Sequence, residues 1–168
     1  MADNTDRRKQ VNLLQENLSA IRKIAGWTTE QLGDKIGVSK QTISNLENNK
    51  SPMNFTQYIA IRAVLDCEIE DRGDDDNTLA KVVYILLDKS EEMDDEEYNR
   101  IKVSMESVAA AAAGGLTGGA LAGLLSSVLS TAVVSAGIVG GPIGMVGGAI
   151  GRFWLKKLLK KSIEKDEK

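Results

Sequence analysis

Residues 28–52 read TTEQLGDKIGVSKQTISNLENNKSP, and two short helices joined by a tight turn fit them. Thr28 followed by Gln31 is a capping-box pattern: the hydroxyl serves as N-cap and the amide returns from the third helical position. Leu32 and Ile36 are four residues apart and share one helical face. Gly37 suits the left-handed backbone that ends a helix. Ser39 then caps a second helix, KQTISNLENN, in which Ile43 and Leu46 point to a core. Its outer face carries Lys40, Gln41, Ser44, Asn45 and Asn48. A short helix with amide and basic side chains near its N-terminus has what entry into a DNA major groove requires.

The neighbouring sequence supplies elements that such a pair packs against. Upstream, Val11, Leu14, Leu18, Ile21 and Ala25 recur at three- and four-residue steps, which predicts a helix over 6–25 with one apolar face. Gly26 follows as its stop. Downstream, Ser51 and Pro52 form a break, Asn54 with Gln57 repeats the N-cap signal, and a fourth helix carries Tyr58, Ile61 and Leu65.

Taken together, TTEQLGDKIGVSKQTISNLENNKSP resembles the helix-turn-helix of the Cro/CI-type (XRE) repressor family, over roughly residues 10–69. The resemblance implies that Lys40, Gln41 and Asn45 reach base edges, with Gln41 or Asn45 suited to adenine and Lys40 to guanine. It implies that Thr29, Ser39, Thr42, Asn48 and Lys50 hold phosphates and set register. Glu47 is expected to support structure, because a carboxylate near phosphate is repelled. A polar face on a lone helix is most often just solvated; the matching turn and caps put DNA binding ahead here. Two positions depart from the family pattern. Gly33 stands where a small alanine is usual, and is read as the loss of one methyl at a helix cost of about 1 kcal/mol. Asn49 stands where glycine is common, and asparagine also tolerates left-handed backbone.

Charge divides the 168-residue chain. Net charge is −3, yet residues 1–72 hold ten basic and ten acidic groups, 73–107 four and eleven, and 108–168 seven and three. These shifts suggest a DNA-binding domain at 1–72, an acidic helical linker or association segment at 73–107, a glycine-rich hydrophobic hairpin at 108–151 and a basic amphipathic tail at 152–168. In the acidic part, Asn77 is placed to cap a helix TLAKVVYILLD with Leu79, Val82 or Val83, and Leu86 inside. A second helix opens at Asp94 and Glu97 and runs through Tyr98, Ile101, Met105 and Val108. The expected fold class is all-α.

Several chemistries lack their residues. The chain has no histidine, so the usual general base and the commonest metal ligand are missing. Cys67 is the single cysteine, which excludes an intramolecular disulfide and fits a reducing cytosol. The opening MADNTDRRKQ lacks the apolar stretch of a secretory signal. No phosphate loop or paired-cysteine site occurs. The expectation is therefore a non-enzyme without cofactor or metal.

The C-terminal third is uncharged from 107 to 151, and twelve of the sixteen glycines fall between 114 and 151. Gly115, Gly119 and Gly123 are four apart, as are Gly140, Gly144 and Gly148, a spacing that lets helix backbones approach closely. The run is long enough for two membrane crossings, drawn at 109–129 and 132–151. Pro142 should kink the second. Phe153 and Trp154, with Lys156, Lys157, Lys160 and Lys161, fit a cytoplasmic membrane interface. The hydrophobicity is weak for insertion, so a soluble assembly packed through glycine faces is the alternative.

The sequence thus predicts a DNA-binding transcriptional repressor that self-associates as a homodimer or higher oligomer. It is placed in the cytoplasm at the face of the inner membrane, held there by residues 108–163. Two alternatives are a soluble oligomeric repressor and a membrane-active effector whose helix-turn-helix serves autoregulation.

Overall fold

The computed structural model describes residues 2–73 and 78–133, and among them helices form with no strand. The helices are α1 (Ala2–Ile24), α2 (Thr29–Ile36), α3 (Lys40–Glu47), α4 (Phe55–Arg72), α5 (Thr78–Val83), α6 (Asp95–Ala113) and α7 (Gly118–Val133). The all-α expectation holds for these residues.

Local chemistry sets the boundaries. Thr28 Oγ1 accepts from the Gln31 N–H at 3.1 Å, and Gln31 Oε1 accepts from the Thr28 N–H at 2.8 Å, completing the capping box of α2. The same exchange opens α4, where Asn54 and Gln57 bond each other at 2.9 and 3.0 Å. Ser39 Oγ accepts from the Thr42 N–H, and Asp94 Oδ1 from the Glu97 N–H. Each bond satisfies an amide that a helix start leaves without an internal partner. Gly37 ends α2 at φ 72°, and the Val38 N–H returns to the Gly33 carbonyl at 2.9 Å.

Gly33 is more constrained than the lost-methyl reading allows. A Cβ built there would lie 2.6 Å from the Val38 carbonyl oxygen and 3.3 Å from the Ser39 carbonyl carbon. The turn between α2 and α3 folds back so closely on α2 that backbone occupies the methyl's place. Glycine here sets how tightly the two helices are joined.

The acidic middle packs onto the N-terminal helices. Leu14, Leu18 and Ile21 of α1 share one apolar core with Ile43 and Leu46 of α3, Leu79 and Val82 of α5, and Ile101, Met105 and Val108 of α6. The helix expected over TLAKVVYILLD is instead α5 followed by a wider π-helical turn, Tyr84–Asp88, closed by the Lys89 N–H on the Tyr84 carbonyl at 2.8 Å. Both Val82 and Val83 are buried, with Ile85, Leu86 and Leu87. An element apolar on nearly every side is a core element. The turn sets Asp88 against Arg62, whose side chain is 1% exposed, at 3.1 Å. Asn77 lies outside the described residues.

The first proposed membrane crossing, 109–129, is not a continuous helix. Residues 109–113 close α6, and the chain turns through Gly115 at φ 96° into α7, whose first residue, Gly118, has φ 55°. The Leu116 N–H caps the Ala111 carbonyl at 3.0 Å. The paired glycines thus supply positive-φ backbone, which side-chain-bearing residues resist, and α7 packs back on α6. Leu121 and Leu125 of α7 are buried in the protein core. Among the described residues no helix is long and apolar enough to cross a membrane. Gly115 therefore sits in the turn, off the helix that carries Gly119 and Gly123. The second crossing with Pro142, the glycines Gly140, Gly144 and Gly148, and the interface residues Phe153, Trp154, Lys156, Lys157, Lys160 and Lys161 lie outside the described residues.

Candidate nucleic-acid interface

Helix α3 is anchored from beneath and open above. Ile43 and Leu46 are 0% and 1% exposed, which fixes its rotation. With those two residues held down, Lys40 and Gln41 project into solvent, Asn45 and Ser44 are half-buried beside them, and Asn48 is exposed at the C-terminal end. The three candidate base-contacting residues, Lys40, Gln41 and Asn45, therefore share the uncovered side of one helix. Gln41 and Asn45 also bond each other, the Gln41 Nε2 donating to Asn45 Oδ1 at 2.9 Å.

The candidate phosphate-holding residues fall around this helix. Thr29 is the first residue of α2 and is half-buried. Ser39 and Thr42 cap the start of α3, with their hydroxyl oxygens 3.0 Å apart. That start also offers amides with no carbonyl partner inside the helix, in the positive end of its dipole. Asn48 donates through Nδ2 to the Ser44 carbonyl at 2.7 Å, so its amide folds onto the helix end. Lys50 is exposed just beyond. Asn49, at φ 54°, adopts the left-handed backbone foreseen for it.

Glu47 is a structural residue. Arg22 of α1 donates through Nε to Oε1 at 2.5 Å and through Nη2 to Oε2 at 3.1 Å, and through Nη1 to the Trp27 carbonyl at 2.6 Å. A second brace has no local sequence signal. Gln15, 8% exposed, donates through Nε2 to the carbonyls of Leu46 and Ser51 at 3.0 and 2.8 Å. Its Oε1 accepts from the Met53 N–H at 2.8 Å. One buried amide thus satisfies three backbone groups where the chain leaves α3. The Trp27 ring is also buried, and Lys35 Nζ stands over it at 4.9 Å. The contribution of these residues is to fix α3 relative to α1, which sets how its outer face is presented.

Comparisons with known proteins converge on the same segment. Residues 18–71 match the family model described as helix-turn-helix. The chain is 37% identical over 49 residues to the antitoxin HipB of Escherichia coli strain K12, which covers 29% of this chain and 56% of that protein. It is 37% identical over 49 residues to the antitoxin HipB of Escherichia coli O6:H1 strain CFT073, covering 29% of this chain and 52% of that protein. The chain spans about half the length of these curated relatives. No solved structure matches it.

Proposed function

We propose that this chain, whose residues 18–71 are a helix-turn-helix domain, is a sequence-specific DNA-binding transcriptional regulator acting as a repressor in the cytoplasm. The observation that carries the reading is the uncovered face of α3, with Lys40, Gln41 and Asn45 held outward by the buried Ile43 and Leu46. Double-stranded DNA is the partner, and no catalytic step forms part of the reading. The similarity to the two antitoxins lies within the DNA-binding module, so that module is what it supports. A titration of labelled duplex DNA tests the proposal. Binding should weaken steeply with salt, and Lys50→Ala should weaken it evenly across sequences and lower the salt slope by about 1. Absence of saturable binding at low salt would contradict it.

The balanced charge of residues 1–72 gives one copy little phosphate-neutralising power. Pairing of copies on two half-sites compensates for this. The exposed glycines of α7 support self-association: a Cβ at Gly119 or Gly123 would meet nothing within 4 Å, so a backbone-deep face lies open for another helix. Gly119→Leu with Gly123→Leu should leave the monomer folded and lower its association state in sedimentation; an unchanged state would remove this face from the account. The uncharged run through 151 and the basic tail favour a second role, contact with the inner membrane. Fractionation of full-length protein tests it, and recovery entirely in the detergent-free soluble fraction would reject it.

A further inference from the structure

We infer that Gln41 and Asn45 act as one reading unit, in which Asn45 orients the Gln41 amide so that it recognises adenine and rejects guanine. The inference rests on the DNA-binding reading of α3. Residues four apart on a helix are neighbours, and a Gln–Asn pair at this spacing forms a side-chain hydrogen bond. Here the direction of that bond carries the consequence: Gln41 Nε2 is the donor and Asn45 Oδ1 the acceptor.

A glutamine amide has two N–H donors and one carbonyl acceptor. With one N–H committed to Asn45, Gln41 keeps one donor and an unoccupied carbonyl oxygen. That remaining pattern matches the major-groove edge of adenine, whose N7 accepts and whose N6 amino group donates. Guanine presents two acceptors there, N7 and O6, and needs two donors. A pair bonded in the opposite sense, with Asn45 donating to Gln41, would leave both Gln41 donors available and suit guanine. Gln41 is exposed and Asn45 half-buried at its side, an arrangement in which the inner residue fixes the outer one. Asn45 is thus a positioning residue for the base contact made by Gln41. The pairing also holds the Gln41 amide in place before DNA arrives, reducing the side-chain entropy lost on binding.

The test is selection of duplexes from a randomised pool by the full chain and by Gln41→Ala, Asn45→Asp and Asn45→Leu variants, with helicity and melting measured for each. The position read by Gln41 is the one whose preference Gln41→Ala removes. Wild type should favour adenine there. Asn45→Asp keeps the acceptor and should keep that preference, even as its charge weakens binding overall. Asn45→Leu, similar in size but without an acceptor, should cut the adenine-over-guanine ratio by about tenfold. Wild-type preference for guanine at that position, or full adenine preference in a folded Asn45→Leu, would overturn the inference. A folded wild-type chain that enriches no sequence would overturn the DNA-binding reading beneath it, a result distinct from either of these.

Discussion

Arg22 on α1 holds Glu47 at the end of α3 through two parallel contacts, Nε to Oε1 at 2.5 Å and Nη2 to Oε2 at 3.1 Å. The two side chains are only 11% and 9% exposed. A paired geometry with so little solvent resembles a buried ion pair more than a surface one. Removing one partner leaves the other charged, desolvated and uncompensated. Glu47→Ala should therefore cost on the order of 3 kcal/mol in chemical denaturation. The joint replacement Arg22→Met with Glu47→Leu should cost clearly less than the two single losses added together.

Gln15 should be similarly intolerant for a different reason. Its replacement by leucine preserves apolar packing yet strands the Ser51 carbonyl and the Met53 N–H, while the Leu46 carbonyl keeps the Asn49 N–H at 3.2 Å. Buried polar groups left without partners cost about 1–3 kcal/mol each. Gln15→Leu should lower stability by at least about 2 kcal/mol, read as a fall in the denaturation midpoint at unchanged slope. A neutral result would show that water takes over the amide's place.

Gly33→Ala opposes two effects. Alanine raises helix propensity by about 1 kcal/mol, but its methyl would press to 2.6 Å against the Val38 carbonyl oxygen. That neighbour is backbone in a capped turn and has little room to yield. The variant should therefore be destabilised in a thermal melt, where propensity alone predicts stabilisation.

Tyr98 gives the fold a pH dependence at the alkaline end. Burial pushes its phenol above the ordinary 10.0; the hydrogen bond from Asn17 opposes this and the charge of Glu16 adds to it. Below pH about 10 both folded and unfolded phenols are protonated and the group leaves stability unchanged. As pH rises through the unfolded and then the folded value, the unfolded state ionises first and stability is lost. Tyr98→Phe should flatten this alkaline loss relative to wild type. At neutral pH it should cost about 1 kcal/mol, since Asn17 Nδ2 donates to the phenol at 2.7 Å.

Much of the N-terminal fold was legible because its signals are local. Thr28 with Gln31, Asn54 with Gln57, and Asp94 before Glu97 act within four residues, and each cap forms where the sequence placed it. The braces of α3 were not legible. Gln15 reaches Leu46 across 31 residues, Arg22 reaches Glu47 across 25, and Asn17 reaches Tyr98 across 81. No spacing rule carries such pairings, which exist only once α1 packs against α3 and α6. The break at 114–117 was misread because glycines four apart suit close helix packing as well as turns. The positive φ of Gly115 and Gly118 decides for the turn. Of the interface, the outward face of α3 was legible from Ile43 and Leu46, whereas the Gln41–Asn45 bond emerged from geometry.

The most direct test of the central claim is the sequence preference of the full chain against that of its Gln41→Ala, Asn45→Ala double variant, both shown folded by circular dichroism. The wild type should enrich an inverted repeat whose half-sites lie about one helical turn apart. The double variant should keep salt-sensitive binding to DNA and lose that preference. An unchanged preference in the double variant would show that another surface reads DNA and would contradict the account.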